Sequence, residues 1–321
     1  MARIVALGSA LQDVYLIDRD DFVSSEVGDV SIFGQLVIGT KVDIDKVAFS
    51  IGGGATNAAV SFARHGHQSI FMGNIGHDPA GTAIIELLDK EGIDTSYIGH
   101  VKGTKTGYSV LLLDQKTGER TILTHRGASA KYDNLDPADL DLIRPDWLYV
   151  TTLRGDMSTL NKFFNKCRKL GIKIMFNPGM PELANKQKFL GLCEDVEVLL
   201  VNKAEAQEIV PGVLLDELLS HLKNFIPTVI ITDSGMGAIA SNGKDTYRMG
   251  IYADVKVKDA TGAGDAFGSG FLAHLAAGKS FRDSLIFGSA NSTAVIQKLG
   301  AKAGILTGTE TLHPMPIQKV A

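Results

Sequence analysis

The chain has 321 residues and a net charge of -4, with 45% hydrophobic and 21% charged residues. This length can hold one large core with a smaller accessory part. The composition is that of ordinary globular proteins and excludes a disordered chain. Because a slightly acidic protein offers no global positive field to nucleic acid or an anionic membrane, we expect a small-molecule ligand.

The cellular setting is predicted from the cysteines and the apolar runs. Cys167 and Cys193 are too few for a disulfide framework, so we expect free thiols. The opening residues lack the basic and apolar regions of a secretory signal, and no apolar run reaches the ~20 residues that span a bilayer. We therefore expect a cytoplasmic protein with neither a membrane nor a nucleic-acid partner.

Short apolar runs alternate with segments of helical periodicity along most of the chain. This alternation predicts an α/β fold, in which a mostly parallel sheet has helices on both faces. The predicted strands are Ile4–Leu7, Ile70–Met72, Trp147–Val150, Ile172–Phe176, Val196–Val201 and Thr228–Thr232. Two of the predicted helices are Pro79–Glu91 and Ser158–Leu170.

Two stretches, residues 14–49 and 104–126, interrupt this alternation. Their β-rich segments are Phe33–Ile38, Tyr108–Leu113 and Thr121–Thr124. Because each stretch adjoins a candidate ligand segment, we predict that together they form a small β-sheet lid; two peripheral hairpins are the alternative. The main domain would then consist of residues 1–13, 50–103 and 127–321.

A loop of small residues, Asp259–Asp265, precedes a segment that can form a helix. Its glycines allow successive N–H groups to converge at a helix N-terminus, where an anion is favoured. The loop therefore predicts a hole for a phosphoryl group. Beside bound phosphate, Asp265 would suffer like-charge repulsion unless it accepts a proton, so we interpret it as a general base. An ordinary helix N-cap is the alternative.

The sequence of this loop, Asp-Ala-Thr-Gly-Ala-Gly-Asp, resembles the C-terminal signature of the ribokinase-like (PfkB) family of sugar and nucleoside kinases. The resemblance implies a ribokinase-like α/β fold and transfer of the γ-phosphoryl group of ATP. It also implies that Asp265 deprotonates the acceptor hydroxyl. The amides of Gly262, Ala263 and Gly264 would then stabilise charge on the transferring group.

A second glycine cluster, Ser50–Gly66, is similar to the family's N-terminal signature, Gly-Gly-x-x-x-Asn before a helix that ends at glycine. The glycines permit close approach to a ligand, and Asn57 offers both a donor and an acceptor to a hydroxylated substrate. A glycine-rich turn that leads into a buried helix is the alternative. The resemblance implies that Gly53, Gly54 and Asn57 contact the acceptor.

Two further residues are implied to contact the acceptor. Asp13 follows the first predicted strand, at the carboxyl edge where open α/β sheets bind ligands, and would accept hydrogen bonds from vicinal hydroxyls. Arg126 ends the second lid stretch and would reach substrate or phosphate. A solvated turn aspartate and an exposed, salt-bridging arginine are the alternatives.

The resemblance also implies where ATP and Mg²⁺ bind. Asn202 and Glu205 match the family's Asn-x-x-Glu element, which organises magnesium and phosphate largely through water, and magnesium does keep much of its water shell. Thr232–Ala238 is similar to a phosphate-contacting segment, and Gly288–Gly300 would line an adenine pocket with small residues. The implied nucleotide contacts are Asn202, Thr232, Gly235, Gly237 and Ser289.

The family pattern further implies a monovalent cation, K⁺, near the C-terminal signature. The residues implied for this cation site are Asp259, Thr261, Val295, Lys298 and Gly300. The valine and the lysine leave the geometry of such a site open.

Two other glycine patterns suggest rival functions. Ala273–Ser280 matches a relaxed P-loop, but the residues before Gly278 predict a helix where a P-loop needs a strand. Gly262–Gly268 resembles a dinucleotide fingerprint, which makes an NADP-dependent oxidoreductase the rival enzyme. The late position of this motif and the lack of a following βαβ unit count against it. A non-catalytic sugar-binding module is the third interpretation.

The acceptor is the ambiguous part of the prediction. Ribokinases have Asn and Lys where this chain has Leu11 and Gly54, so two polar contacts to a free sugar are missing. Both residues are more similar to those of nucleoside kinases, whose pocket holds a flat base. We expect a primary hydroxyl of a ribose-like moiety, with a nucleoside favoured over a free sugar or sugar phosphate. An exposed lid edge also predicts a homodimer.

Overall fold

The structure is a computed structural model that describes residues 1–18, 23–26, 32–35, 39, 41, 43–114 and 120–320. Its strands are β1 (Arg3–Leu7), β2 (Leu11–Asp18), β3 (Val23–Glu26), β4 (Ile32–Gln35), β5 (Lys46–Gly52), β6 (Gln68–Ile75), β7 (Ile98–His100), β8 (Gly107–Asp114), β9 (Arg120–His125), β10 (Trp147–Thr151), β11 (Lys173–Asn177), β12 (Val198–Asn202), β13 (Thr228–Thr232), β14 (Ala238–Ser241), β15 (Thr246–Met249) and β16 (Ile317–Lys319). Its α-helices are α1 (Gly54–Arg64), α2 (Pro79–Lys90), α3 (Asp139–Ile143), α4 (Met157–Leu170), α5 (Met180–Leu183), α6 (Lys186–Cys193), α7 (Lys203–Ile209), α8 (Leu215–Leu222), α9 (Ala263–Ala276) and α10 (Phe281–Ile296).

The large sheet has the strand order β16-β15-β14-β13-β12-β11-β10-β1-β6-β7. The strands from β13 to β7 in this order are parallel, as predicted. The other three strands are antiparallel and extend one edge. This edge is not predictable from the sequence, because strands of three or four residues are too short to show a clear period.

Each face of the large sheet packs against its own layer of helices. In β1, Val5 and Leu7 face one layer and Ile4 and Ala6 face the other, because successive side chains of a strand point in opposite directions. The first layer includes α4, α6, α7 and α8, and the second includes α1, α2, α9 and α10. This arrangement confirms the predicted α/β class with helices on both faces.

Some elements begin one residue away from their predicted starts, because local hydrogen bonds and not the apolar pattern set their ends. The strand predicted to begin at Ile172 begins one residue later, because the Ile172 N–H donates to the Cys167 carbonyl and completes the end of α4. The same helix begins after Asp156, whose side chain accepts from the Thr159 N–H. Cys167 and Cys193 are both buried free thiols, as expected.

A separate four-stranded sheet, in the order β5-β2-β8-β9, contains two of the three predicted lid segments, Tyr108–Leu113 in β8 and Thr121–Thr124 in β9. Strand β2 of this sheet begins at Leu11, before the predicted lid boundary at residue 14. Asp13 therefore lies within β2, opposite Ser50 and Ser109, and is buried, so the alternative of a solvated turn aspartate is wrong. The division into domains stays a prediction.

Two predicted lid features fall partly outside the described residues. Of the segment Phe33–Ile38, residues 33–35 lie in β4, which pairs with β3 and not with the four-stranded sheet, and residues 36–38 are outside the description. The turn between β8 and β9 also lies outside it. Within the described residues, no helix has both the length and the apolar character that crossing a bilayer requires.

The core makes a stability prediction. Leu160 in α4 is fully buried, whereas Leu142 in α3 is 75% exposed. We expect Leu160→Ala to lower the free energy of unfolding by about 2–5 kcal/mol, because it removes buried methyl groups and leaves a cavity. The matched Leu142→Ala is expected to change it by less than about 0.5 kcal/mol. Urea unfolding measures both, and similar losses in the two variants would contradict the assigned core.

Candidate active site

A cleft of about 600 Å³ opens at the carboxyl ends of the parallel strands. The last residues of β10, β11, β12 and β13 all line it: Thr151, Asn177, Asn202 and Thr232. The four-stranded sheet contributes side chains from β2, β8 and β9. The cleft thus lies at the edge where open α/β sheets bind ligands.

Most of the predicted site residues meet in this cleft. Those that line it are Asp13, Gly53, Gly54, Asn57, Arg126, Asn202, Glu205, Thr232, Thr261, Gly262, Ala263, Gly264 and Asp265. The predicted residues outside its lining are Gly235, Gly237, Ser289, Asp259, Val295, Lys298 and Gly300. The fold therefore joins the two glycine signatures, which are far apart in sequence, in one place.

The N-terminus of α9 presents backbone N–H groups to the cleft. Gly262 is the N-cap residue, with φ 78°, and Ala263 donates its N–H to Ala260 at 3.3 Å. Within the described residues, no hydrogen bond engages the backbone N–H of Gly264 or Asp265. Free N–H groups and the positive end of a helix dipole favour a bound phosphoryl group here.

Asp265 lies in the first turn of α9 and is not its N-cap, so the simple capping alternative is wrong. Its Oδ2 accepts a hydrogen bond of 2.8 Å from Asn57 Nδ2. Burial raises the pKa of Asp265, while the Asn57 hydrogen bond and the charge of Lys302 lower it. A carboxylate whose pKa is raised by burial is a better proton acceptor than an exposed one.

Asp13 is the more deeply buried of the two carboxylates, since only 6% of it is exposed whereas Asp265 is half-buried. Burial raises its pKa to about 6, whereas Lys302 and a hydrogen bond from Ser109 act in the opposite direction. Asp259 adds a smaller upward shift. Position and ionisation both suit Asp13 to accept hydrogen bonds from a ligand's hydroxyls near neutral pH.

Lys302 is the main site residue that the sequence analysis missed. It is buried, and its ammonium donates to Asn57 Oδ1 at 2.5 Å. Burial lowers its pKa to about 7, and attraction to Asp13 and Asp265 works against that decrease. The only signal in the sequence is a charged residue inside the small apolar segment Leu299–Ile305, which is also consistent with an exposed turn.

Thr151 is another residue that the sequence analysis missed. It lies at the end of β10, is 3% exposed and lines the cleft. Its hydroxyl has no hydrogen-bond partner among the described residues. Because an unpaired buried hydroxyl costs free energy, Thr151 is suited to bind a polar group of a ligand.

Asn202 and Glu205 form a reciprocal capping box at the start of α7. The Asn202 Oδ1 accepts from the Glu205 N–H, and the Glu205 Oε2 accepts from the Asn202 N–H, both at 2.9 Å. Burial raises the pKa of Glu205. Among the described residues, no hydrogen bond engages its Oε1, so one carboxylate oxygen is left for the water shell of Mg²⁺. The pair fits the ion, and its assignment stays a prediction.

The predicted nucleotide segment lies mostly beyond the cleft. Thr232 lines it, whereas Gly235 and Gly237 belong to the turn between β13 and β14. Gly237 has φ 91°, and a Cβ there would lie 2.0 Å from the Met249 carbonyl oxygen, so the hairpin itself requires glycine. Ser289 lies in α10. Their contacts with ATP stay predictions.

The residues implied for the cation site are close together. Asp259 accepts hydrogen bonds from the N–H groups of Thr261 at 2.9 Å and Gly300 at 3.0 Å. Lys298 donates its N–H to Val295. Hydrogen bonds thus join the two segments, which is compatible with a cation between them, and K⁺ binding stays a prediction.

Arg126 lies at the mouth of the cleft, just after β9. Its side chain is exposed and makes no ion pair within the described residues. Burial and the neighbouring charge of Arg154 both lower its pKa. An unpaired guanidinium is able to reach an anionic or hydroxylated ligand, so the predicted substrate role is retained as a prediction.

Both rival glycine motifs lack the strand that they require. Ala273 lies inside α9, which ends at Ala276, so the relaxed P-loop match is part of a helix as predicted. The last described strand before Gly262 is β15, an antiparallel strand that ends at Met249. A dinucleotide fingerprint needs a parallel strand leading directly into its glycine turn. These observations disfavour the P-loop and the oxidoreductase.

The pKa of Asp13 makes a prediction about stability. Because the folded-state pKa of about 6 lies above the ordinary value of 3.8, the wild type loses stability as the pH rises from about 4 to about 6, and the loss persists at higher pH. We expect Asp13→Asn to be more stable than the wild type near pH 7, by on the order of 2 kcal/mol, and to lose this advantage near pH 4. Urea unfolding at both pH values measures the difference.

The exposed Asp133 provides the matched control for this measurement. We expect Asp133→Asn to bring no comparable increase in the free energy of unfolding, because the charged form of a solvated carboxylate costs little free energy. An Asp13→Asn variant that is less stable than the wild type near pH 7 would show that Asp13 is not destabilised by its burial.

Comparisons with known proteins agree with this geometry. A model of the pfkB family of carbohydrate kinases matches residues 1–307. A ribokinase from Haemophilus influenzae is 30% identical over 272 residues, which cover 82% of this chain and 86% of that protein. Among solved structures, adenosine kinase from Sinorhizobium meliloti has a TM-score of 0.79 at 18% identity and covers 96% of this chain and 98% of its own. Ribokinase from Arabidopsis thaliana, complexed with ribose and ATP, has a TM-score of 0.77 at 22% identity. The match covers 95% of this chain and 96% of that one.

The structural likenesses are distant in sequence but extend over nearly the whole chain, and they confirm the ribokinase-like fold. The family match spans both glycine signatures that line the cleft. This chain therefore belongs to the pfkB family of carbohydrate kinases.

Proposed function

We propose that this protein transfers the γ-phosphoryl group of ATP to a primary hydroxyl of a sugar or nucleoside. The observation that supports this function is the position of Asp265, whose carboxylate lies in the same helical turn as the free N–H groups at the start of α9. A base and an anion site in such proximity suit in-line attack of a hydroxyl on a phosphoryl group.

The proposed mechanism relies on positioning. Asp13 accepts hydrogen bonds from ring hydroxyls and orients the acceptor, and Asp265 takes the proton of its primary hydroxyl. The N–H groups at the start of α9 then stabilise the negative charge of the transferring group. Asn202 and Glu205 would hold Mg²⁺ mainly through water, and the ion would neutralise charge on the phosphates of ATP.

A nucleoside is the acceptor that we favour, with a free sugar or sugar phosphate as the alternative. Leu11, Leu111 and Ile122 of the four-stranded sheet give the cleft an apolar wall, and such a wall suits a flat base. The relative from Haemophilus influenzae is a ribokinase, which supports the free-sugar alternative.

K⁺ and a homodimer complete the proposal. K⁺ would bind near Asp259 and Gly300. The homodimer would form through the four-stranded sheet, whose edge strands expose the apolar side chains of Val47, Phe49 and Leu123.

The role of Asp265 makes the first functional prediction. We expect Asp265→Asn to lower kcat by about 10²–10⁴ and to leave the KM for ATP nearly unchanged, because it removes the proton acceptor but keeps the free N–H groups. Steady-state kinetics measure both constants, with the surface variant Asp133→Asn as the matched control. A near-normal kcat for Asp265→Asn would refute the base assignment.

The second functional prediction concerns the identity of the acceptor. In a coupled assay of ADP release, we expect a nucleoside among adenosine, inosine, guanosine and cytidine to give a higher kcat/KM than ribose, fructose or the fructose phosphates. A free sugar or sugar phosphate in first place would favour the alternative acceptor and leave the kinase assignment intact. ADP release that no acceptor increases over the rate without acceptor would reject the kinase itself.

A further inference from the structure

We propose that Lys302 is a positioning residue that acts through Asn57 to select which oxygen of Asp265 accepts the proton. The inference rests on the proposed function, since it concerns the base of that reaction. Lys302 comes from the segment after α10, Asn57 from α1 and Asp265 from α9, so the three residues meet only in the folded protein.

The ammonium of Lys302 is fully engaged. Its Nζ donates to the Ile51 carbonyl oxygen at 2.6 Å, to Thr56 Oγ1 at 2.9 Å and to Asn57 Oδ1 at 2.5 Å. An ammonium has three donors and no acceptor, so these contacts use every hydrogen that it has. The side chain is 6% exposed, and its position is therefore set by the protein and not by water.

This ammonium determines how the amide of Asn57 is oriented. With three acceptors around its Nζ, Lys302 is held in the charged form, which only donates, so Asn57 must turn its oxygen towards Nζ, and its Nδ2 then donates to Asp265 Oδ2 at 2.8 Å. The reversed amide would place an NH₂ group against the ammonium and an oxygen against the carboxylate. Both contacts are repulsive, so the cation excludes that orientation.

The oriented amide leaves the two oxygens of Asp265 unequal. Oδ2 is occupied by the Asn57 hydrogen bond, whereas Oδ1 faces Gly54, where a Cβ would lie only 2.9 Å from it. Gly54 lines the cleft, so Oδ1 is the oxygen directed at the space for a ligand. Lys302 thereby keeps one lone-pair site of the base free at the place where the acceptor hydroxyl must lie.

The glycine at position 54 leaves the space beside Asp265 open. A side chain here would meet Asp265 Oδ1 and Thr151 Cγ2, the latter 3.1 Å from its Cβ. Lys302 instead approaches Asn57 from the segment after α10. Arg64 fixes that segment, because its Nη1 donates to the Lys302 carbonyl oxygen at 2.9 Å.

A double-mutant cycle on kcat tests the proposal with Lys302→Met, Asn57→Leu and the double variant. We expect Lys302→Met to lower kcat about 10- to 100-fold while the KM for ATP changes by less than about threefold, because the N–H groups of α9 remain. In the Asn57→Leu background the same change should cost less than about twofold, because the residue through which Lys302 acts is gone. Lys279→Met, an exposed change on the same protein, is the matched control and should leave kcat unchanged.

Three results would overturn the proposal: a normal kcat for Lys302→Met, losses that multiply in the double variant, or a loss that appears in the KM for ATP instead of kcat. A merely structural lysine would change the yield or stability of folded protein but not produce the non-additive kcat. If Lys302→Met does not fold, Lys302→Gln replaces it in the same cycle, since its amide both donates and accepts and therefore no longer excludes the reversed orientation of Asn57.

A second measurement does not depend on activity, so it separates failure of this proposal from failure of the proposed function. In the amide NMR spectrum, the side-chain NH₂ signal of Asn57 is assigned by its loss in Asn57→Leu. We expect Lys302→Met to shift this signal and to speed its exchange with water, whereas Lys279→Met should do neither. An unchanged signal in Lys302→Met would overturn the proposal even if the protein phosphorylates no acceptor.

Discussion

The hydrogen bond between Asn57 and Asp265 connects the two glycine loops of the cleft. It is 2.8 Å long and joins the first turns of α1 and α9. Because the bond is partly buried and one partner is charged, breaking it would leave a carboxylate without its donor in a place where water compensates poorly. The contact thus holds the N-terminal turns of the two helices together at the cleft, next to the apolar residues through which α1 and α9 pack.

Two buried groups in and beside the cleft, Asp13 and Lys302, have charged forms that burial disfavours. Burial raises the pKa of Asp13 to about 6 and lowers that of Lys302 to about 7. Each shift means that the charged form costs free energy in the folded state. Attraction between opposite charges offsets part of this cost, and the apolar layers on both faces of the large sheet supply the stability that tolerates the rest.

Hydrogen bonds join the four-stranded sheet to the segments around Asp265. Tyr15 in β2 donates its hydroxyl hydrogen to Asp259 Oδ2 at 3.0 Å, and Asp259 begins the loop that leads to α9. In β5, the Ile51 carbonyl oxygen accepts from Lys302. These two buried contacts tie the small sheet that contains Asp13 to the segments around Asp265, so a shift of the sheet would move the proposed acceptor site and the proposed base together.

The sequence by itself determined the α/β class and the glycine loop before α9, because strand periodicity and glycine spacing are local properties of the chain; the family resemblance implied part of the cleft lining. Only the tertiary structure decided that Asp13 lies within a strand of the small sheet, since hydrogen-bond ladders join distant segments. It also decided that Lys302 turns inward to Asn57. A lysine in a short apolar segment has the same sequence whether it is solvated or buried, and the acceptors that make burial tolerable come from residues some 250 positions away.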